Sequence, residues 1–240
     1  VWLVVVLWGL WIARNHLGTV FRKAIYGDPD VDDSDELLSY RTAVICLFGG
    51  LFYLALWLIA SGLEVWVTIA FLVGMMIVYL GITRIIAETG VITIRAVMVP
   101  QSFIMFTFGT AGISGSSMTA LAMTSGWHGD MKTTLMPALA HCVKLFDTIK
   151  QQKRQLVWAA ALAMRVGIVS SVLYIIVMAY ETGAGNYGSQ ISGGLARGPW
   201  DFYVKYSRSP VDPDWRKMAF LGSGIVFATF LYAMRYRYTW

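Results

Sequence analysis

Residues 43–83 read AVICLFGGLFYLALWLIASGLEVWVTIAFLVGMMIVYLGIT, two long apolar runs joined by a short turn at Ser61 and Gly62. A helix needs about 20 mostly apolar residues to cross a bilayer, and each run comes close to that length. Two more such runs follow at residues 156–180 and 218–233. The four runs indicate helices that cross a membrane, so the side chains have to be interpreted with lipid as the solvent.

The composition of the chain supports the same class. Apolar residues make up 57% of the 240 residues and charged residues 14%, whereas soluble domains carry about 25% charged residues. The net charge of +5 does not indicate nucleic acid, because the basic residues lie in loops between apolar runs, where membrane topology accounts for them. We therefore expect a multi-pass membrane protein that contacts the lipid bilayer and no nucleic acid.

The chain divides into seven apolar or amphipathic segments that form a single integral membrane region, 1–240. The segments are residues 1–13, 43–60, 64–83, 96–111, 133–149, 156–180 and 218–233, with the longest polar loops at 14–42 and 181–217. Residues 1–12 are already apolar and lack both the basic region and the cleavage site of a signal peptide. We interpret them as the second half of a span, and the chain as a fragment of a longer protein.

Two of the segments are irregular. Residues 96–111 run into the string Gly109-Thr-Ala-Gly-Ile-Ser-Gly-Ser-Ser117, in which side-chain packing is lost and hydroxyl groups compete for the backbone. This string predicts a broken or re-entrant helix, which is tolerated at membrane depth only inside protein or along a cavity. Ordinary small-residue packing between helices is the alternative.

The second irregular segment, residues 133–149, carries its apolar side chains at steps of three and four along one face. This spacing predicts an amphipathic helix that lies at the membrane interface or is enclosed by other helices. The predicted fold is therefore an all-α, polytopic transmembrane helical bundle with a broken or re-entrant helix and an amphipathic interfacial helix.

The basic residues predict the orientation of the bundle. One set of loops holds Arg14, Arg22, Lys23, Arg41, Arg84, Arg95, Lys144, Lys150, Lys153, Arg154, Arg235 and Arg237, and the opposite set holds Lys132, Arg197, Lys205, Arg208, Arg216 and Lys217. Loops rich in Lys and Arg remain in the cytoplasm. We therefore expect the loop 14–42 on the cytoplasmic side of the membrane and the loop 181–217 on the other side.

Charged side chains within or at the end of apolar runs are the first candidates for a functional site. Arg84 and Glu88 are four residues apart, so they share one face of a helix. The Glu88 carboxylate fits a gate, a proton carrier or a substrate ligand, and equally a simple interfacial ion pair. Arg165 lies inside the run 156–180, where an Arg usually faces a polar partner or water; snorkelling toward Trp158 is the alternative.

Sequence patterns typical of enzymes and cofactor sites are missing. The three His residues are scattered, and no spacing of His, Asp or Glu repeats as it does in metal sites. The sequence has no Gly-Lys-Ser/Thr phosphate loop and no Gly-x-Ser-x-Gly nucleophile turn. We expect no enzyme activity, no bound metal and no cofactor.

Two stretches of the chain resemble known membrane proteins. The strings Arg84-Ile-Ile-Ala-Glu-Thr-Gly90 with Val99-Pro-Gln-Ser-Phe103, and Gly129-Asp-Met-Lys-Thr-Thr-Leu-Met-Pro137, resemble a bacterial membrane protein family of uncharacterised function related to the oligopeptide transporter superfamily. The Asp-Met-Lys-Thr string also resembles the Asp-Leu-Lys-Thr-Gly string of that superfamily, although Thr134 stands where the superfamily has Gly. The resemblance covers about residues 11–240 and implies proton-coupled uptake of peptides or metal chelates by the C-terminal part of a transporter.

Two functions from different classes follow from these observations. The first is a secondary-active transporter with proton-carrying carboxylates, positive counter-charges and backbone polar groups from the break. Its predicted substrate- or proton-binding residues are Arg84, Glu88, Gln101, Ser114, Asp130, Lys132 and Arg165. The second is a non-transporting integral membrane subunit that packs within a larger complex. In either case we expect contacts with the remaining N-terminal part of the same protein or with other membrane subunits, and a homo-oligomer is compatible with both.

Cysteine labelling tests the predicted orientation. In a chain whose native Cys46 and Cys142 are replaced by Ser, a cysteine at Asp35 should react with a membrane-impermeant maleimide only after spheroplasts are opened, because the loop 14–42 is cytoplasmic. A cysteine at Arg197 should react in intact spheroplasts. Labelling at position 35 from the outside would overturn the orientation.

Overall fold

The computed structural model describes residues 2–28, 31–91, 94, 99–128, 135–149, 153–183, 186 and 195–238. These residues form ten α-helices, and the described part of the chain contains no strand. The helices are α1 (Trp2–Ile12), α2 (Arg14–Tyr26), α3 (Tyr40–Ala60), α4 (Val65–Thr89), α5 (Pro100–Phe108), α6 (Gly115–His128), α7 (Leu135–Ile149), α8 (Lys153–Thr182), α9 (Leu195–Arg208) and α10 (Trp215–Arg237). The predicted all-α class is confirmed.

Four of these helices are long and apolar enough to cross a membrane, namely α3, α4, α8 and α10. The helices α1 and α2 also have the required length and apolarity when taken together, but they bend by 67° where they meet. The described residues therefore contain four spans, or five if the bent pair is one span. The predicted polytopic bundle is confirmed.

Two of the segments predicted to connect spans contain helices of their own. The segment 14–42 begins with α2, in which Leu17, Val20 and Ala24 turn inward. The segment 181–217 contains α9, in which Tyr203 is buried and Phe202 packs against the core. Both helices are polar overall, so the criterion of long apolar runs does not locate them. The helical spacing of their few apolar residues does indicate them.

The helix α4 is the centre of the bundle, because it packs against α1, α3, α5 and α7. Its inward residues recur at steps of three and four, and they are Val67, Phe71, Met75, Val78, Ile82 and Ile86. Within its apolar stretch 39% of the residues are buried, against 6% or less in the other three long helices. The positions of the other helices can therefore be described relative to α4.

The two ends of α4 give two reference levels, which we call the Glu64 end and the Glu88 end. They lie about 36 Å apart at a rise of about 1.5 Å per residue. At the Glu88 end, Lys144 of α7 donates a hydrogen bond to the Ala87 carbonyl. Arg154 of α8 donates to the Asp33 carbonyl at 3.3 Å. These two bonds link the segments that contain Ala87, Lys144 to Arg154 and Asp33.

The helices α5 and α6 form an antiparallel hairpin beside α4. Its turn lies at the Glu64 end, where the Ser114 amide donates to the Glu64 carboxylate. Its open end lies near mid-height of α4, because Pro100 Cβ is 3.1 Å from the position that a Cβ on Gly74 would occupy. Gly74 is about 15 Å along the helix from Glu64. The predicted interruption within residues 109–117 is confirmed, since α5 ends before it and α6 begins inside it.

Close approach of α1 to α4 depends on two glycines. The Trp2 ring lies against Gly81, with Cε3 only 2.7 Å from the position of a Cβ there. Gly9 leaves room for Arg84, whose Nη1 donates to the Val5 carbonyl at 2.9 Å. Small residues allow helices in lipid to pack closely, and here they seat α1 on α4 near the Glu88 end.

Gly81→Ala should lower the unfolding temperature of the purified protein in detergent, because the added methyl group overlaps the Trp2 ring. Overpacking of this kind costs about 1–3 kcal/mol, which exceeds the gain of about 1 kcal/mol in helix propensity. Gly49→Ala in α3 is the matched control, since nothing lies within 4 Å of its new methyl group. In a Trp2→Ala background, Gly81→Ala should no longer lower the unfolding temperature. If it lowers that temperature as much as in the wild type, the Trp2 ring is not the cause.

Candidate functional site

Gln101 and Thr124 form a buried polar pair where α5 and α6 meet at mid-height of α4. Gln101 is 1% exposed and Thr124 is fully buried. The Gln101 amide donates from Nε2 to Thr124 Oγ1 at 3.0 Å, and the Thr124 hydroxyl donates to the Leu121 carbonyl at 2.7 Å. Because a hydroxyl has a single proton, Thr124 can only accept from Gln101, and this fixes the orientation of the amide.

The amide oxygen of Gln101 is buried and has no hydrogen-bond partner among the described residues. A buried acceptor without a donor costs about 1–3 kcal/mol, and such groups are uncommon in folded proteins unless a ligand or a water molecule serves them. The Thr83 hydroxyl on α4 is the other buried side-chain atom of this kind in the described part. The Gln101 oxygen differs in lying where two helices of the interrupted hairpin meet.

The first turn of α5 lies beside this oxygen. Pro100 occupies the first helical position, and the first hydrogen bond of the helix joins the Phe103 amide to the Val99 carbonyl at 3.1 Å. The amides of Gln101 and Ser102 precede that bond, so they have no partner within the helix. The nine-residue helix α5 thus begins in the protein interior. The positive end of its dipole lies on the same turn as Gln101, whose side-chain oxygen has no partner among the described residues.

Apolar side chains close this region off from the outside. Ile104 and Leu121, the neighbours of Gln101 and Thr124 on their own helices, belong to the main buried core. The helix α9 covers α6, and its Tyr203 is part of the same core. Burial raises the pKa of Tyr203 to about 12, so the phenol is neutral at physiological pH. The pair is therefore occluded in this structure.

A second polar cluster joins the hairpin turn to the turn between α3 and α4; we call it the Glu64 cluster (Glu64, Trp66, Ser114 and Ser117). The Glu64 carboxylate accepts from the Ser114 amide at 3.1 Å and from the Trp66 indole at 2.6 Å. The Glu64 amide donates to Ser117 Oγ at 2.9 Å, and that hydroxyl donates to the Gly62 carbonyl at 3.3 Å. Hydrogen bonds from Ser114 and then Trp66 hold the pKa of Glu64 below its usual value.

The segment before α10 satisfies backbone groups that the interruption frees. The Thr110 amide donates to the Val211 carbonyl and the Val211 amide donates to the Thr110 hydroxyl, both at 2.8 Å. The Asp214 amide donates to the Phe106 carbonyl at 3.0 Å. Gly109 has a φ of 73°, and a Cβ there would lie 2.8 Å from the Val211 oxygen. The break was expected to offer backbone groups to a substrate, but these groups are already used within the protein.

Arg84 and Glu88 pair at the opposite end of α4, as their spacing predicts. Arg84 Nε lies 2.7 Å from Glu88 Oε1, and the Glu88 side chain is 56% exposed. The helix α7 covers this end, because Lys144 and His141 bind backbone carbonyls in and just beyond the last turn of α4. Basic side chains are favoured there by the negative end of the helix dipole.

The residues predicted from the sequence to form one site lie at different levels. Arg84 and Glu88 are at the Glu88 end of α4, Ser114 belongs to the Glu64 cluster about 36 Å away along the helix, and Gln101 is between them. The predicted positions Asp130 and Lys132 lie outside the described residues. Of the predicted residues, the structure brings Arg84 and Glu88 into contact. Gln101 pairs with Thr124, which was not predicted.

Arg165 lies on the outside of the bundle. All residues from 162 to 177 are exposed, and α8 packs against α7 near its beginning, where Leu156 is buried. None of the described residues forms a hydrogen bond or an ion pair with Arg165, so the polar partner expected for it is not found in this part of the chain. The reason is that α8 departs from the bundle after its first turns and carries Arg165 away from the buried pair.

Sequence analysis missed Thr124 and Glu64. Thr124 is one hydroxyl residue among several in α6, and its partner Gln101 is 23 residues away, so no local pattern indicates the pair. Glu64 gave a signal that was not used, because it is the single charged residue in the stretch 43–83. A charge at the turn between two spans indicates a contact that fixes the turn.

Glu64→Ala should loosen the hairpin turn. Ile113 in the turn is 7% exposed, so a cysteine at this position, with the two native cysteines replaced by Ser, should react slowly with a water-soluble maleimide. The rate, normalised to a cysteine at the exposed position 112, should rise severalfold in Glu64→Ala. Glu88→Ala at the other end of α4 is the matched control and should leave it unchanged.

The same assay should respond to pH in one direction. Folding lowers the pKa of Glu64, so the cluster is stabilised above the usual Glu pKa and weakens as the pH falls through the lowered value. The normalised rate at position 113 should therefore rise only in acid. A rate that rose toward alkaline pH would contradict the assigned hydrogen bonds.

Comparison of the chain with curated proteins gives no match, and comparison with solved structures gives no match either. A family model does match, over residues 1–240, and its description is a family of unknown function. The match covers every helix described above as well as the polar segments between them. The chain therefore belongs to the family of unknown function DUF6785.

Proposed function

We propose that this chain is part of a secondary-active membrane transporter and that its substrate binds at the Gln101–Thr124 pair. The observation that carries the proposal is the buried amide oxygen of Gln101 in the first turn of α5, which has no hydrogen-bond partner among the described residues. In many transporters, discontinuous helices place such half-helix ends near the bilayer midplane, where they bind substrate. The start of α5 at mid-height of α4 fits that arrangement.

The chemistry of the pair favours a substrate with both a hydrogen-bond donor and a negative group. The Gln101 oxygen accepts from an N–H group, and the first-turn amides of α5, which have no partner within the helix, favour a carboxylate or another anion. Peptides carry both groups. They are also the substrates that the resemblance to oligopeptide transporters implies, with metal chelates as the second class, in a bacterial inner membrane.

Proton coupling is assigned in this proposal to Glu88, with Asp130 as the second carboxylate. Glu88 is accessible and held by Arg84 at 2.7 Å, so protonation would break an ion pair at the end of the central helix. Gly74, which marks the level of the buried pair, is about 21 Å along α4 from Glu88. Coupling would therefore act through a displacement of α4 rather than through direct contact with substrate.

The alternative is a non-transporting membrane subunit that packs within a larger complex. The exposure of α8 favours it, because residues 162–177 present apolar side chains on every side of the helix. The two functions make different demands on Gln101. A transporter requires its free oxygen, whereas a packing subunit has no use for it.

Gln101→Met distinguishes the two functions, because Met has a similar length but lacks the amide. The full-length protein is reconstituted into vesicles with an imposed proton gradient, and uptake of radiolabelled tetra-alanine and of a ferric chelate is measured. Wild-type vesicles should accumulate one of these probes above protein-free vesicles. The variant should lose about tenfold or more, since a hydrogen bond to a charged group contributes about 1.5–3 kcal/mol and about 1.4 kcal/mol is a factor of ten.

Thr107→Val is the matched control on the same helix. It removes a half-buried hydroxyl whose partner is the Met218 sulfur at 3.5 Å, and it should transport like the wild type. Gln101→Met should unfold at the same or a higher temperature, because the unpaired oxygen is removed. Undiminished uptake in Gln101→Met would exclude the pair as the site, and a wild type that accumulates neither probe would favour the subunit alternative.

A further inference from the structure

The helix α8 is the least covered of the long helices. Its apolar span is Arg154–Thr182. Beyond its first turns, every residue from 162 to 177 is exposed. Trp158, Leu162 and Tyr174 are each more than half exposed. In a membrane these side chains face either lipid or another protein, and apolar side chains alone do not distinguish the two.

Arg165 does distinguish them, because it lies near the middle of that span. It is about 17 Å along the helix from Arg154 and about 26 Å from Thr182. An Arg near a helix end extends its guanidinium to the headgroups. From Arg165, the level of Trp158, an aromatic residue typical of the interface, is still about 10 Å away. A lipid phosphate is therefore a poor partner for this guanidinium.

Arg165 is the one charge in a stripe of otherwise apolar residues. At 3.6 residues per turn, its face of α8 also carries Ala161, Val169 and Val172, all apolar. The nearby Ser170 hydroxyl donates to the Val166 carbonyl at 2.7 Å, so it is engaged with its own helix. Among the described residues nothing neutralises the guanidinium.

We propose that the Arg165 face of α8 packs against a transmembrane helix from outside residues 1–240, and that this helix presents a carboxylate at the level of Arg165. An Arg in the hydrocarbon region is stabilised by an opposite charge, and its planar guanidinium binds a carboxylate through two parallel hydrogen bonds. The apolar residues above and below it would pack against the same partner helix. This interface is independent of the proposed substrate site.

A second copy of this chain does not fit the charge. In a two-fold dimer through this face, the two Arg165 side chains would oppose each other, since such an interface pairs identical surfaces. The acids that the structure describes next to the spans lie at helix ends, as Glu64, Glu88 and Glu181 do, so none of them reaches the level of Arg165. Since no acid among the described residues would meet the guanidinium in such a dimer, we assign the contact to a different helix with its own acidic residue.

Photocrosslinking in the membranes of cells that produce the full-length protein tests this interface. A benzophenone amino acid replaces Val169, on the Arg165 face, or Tyr174, on the opposite face, as the matched control. Cross-linked peptides are sequenced by mass spectrometry. We expect the Val169 probe to reach a transmembrane segment outside residues 1–240 with an Asp or Glu within about one helical turn of the cross-link, and the Tyr174 probe not to reach it.

Variants of Arg165 then test the ion pair itself. Arg165→Met should reduce the yield of this product at least tenfold, and Arg165→Lys should reduce it less, because an ammonium keeps the charge but not the planar geometry. Arg165→Glu should abolish the product, and exchanging the partner's acid for Lys should restore it. The yields of the cross-linked product are compared at equal amounts of monodisperse protein. If the Met variant fails to accumulate, the yield in Arg165→Lys tests the ion pair instead.

The proposal is overturned by any of four results. These are cross-links from Val169 to lipid alone, cross-links to a second copy of this chain, a partner segment without an acid near the contact, or an undiminished yield in Arg165→Met. A charge exchange that fails to restore the product would also rule out direct pairing. Uptake is not a readout here, so a failure of the transport proposal leaves this result interpretable.

Discussion

The constraint on which this structure depends is that backbone N–H and C=O groups at membrane depth must find partners inside the protein. The interrupted hairpin α5–α6 shows how this chain meets it. The segment 211–214 supplies the hydrogen bonds that Phe106 and Thr110 lose when the helix stops, and the Glu64 cluster holds the amide of Ser114. Helices far apart in the sequence are thus tied together at a place where regular structure fails.

Against that background two polar groups with no partner in the described part of the chain are the most informative. The Gln101 oxygen is inside the bundle without a donor, and the Arg165 guanidinium is outside it on an apolar helix. The first is neutral and occluded, which suits a small ligand that enters and leaves. The second is charged and at the surface, which suits a permanent protein neighbour. The two anomalies therefore indicate different kinds of partner, and neither substitutes for the other.

The sequence predicts the parts of this fold that depend on local pattern. Apolar run length locates α3, α4, α8 and α10, small residues locate the interruption, and a four-residue spacing predicts the pair Arg84–Glu88. It misses what depends on contacts distant in the sequence. The bond between Gln101 and Thr124 joins positions 23 residues apart, and α2 and α9 have apolar faces that matter only beside a neighbour. The sequence shows that a charged Arg165 would be costly in lipid, so a polar partner was expected for it. The sequence does not show which helix supplies the opposite charge.

The hydrogen bonds along the hairpin are distributed unevenly, and this bears on how the proposed site would be reached. The turn is fixed by the Glu64 cluster and by three bonds to the segment 211–214, so opening there would expose several backbone groups at once. Among the described residues the open end is joined by one side-chain bond, between Gln101 and Thr124, and Pro100 there packs on Gly74 of α4. Separation at the open end exposes fewer unsatisfied groups, and each of them is one that a polar substrate can satisfy. In the proposed transporter the easier movement is therefore at the open end, toward the side of the bundle where Glu88 and Arg84 lie.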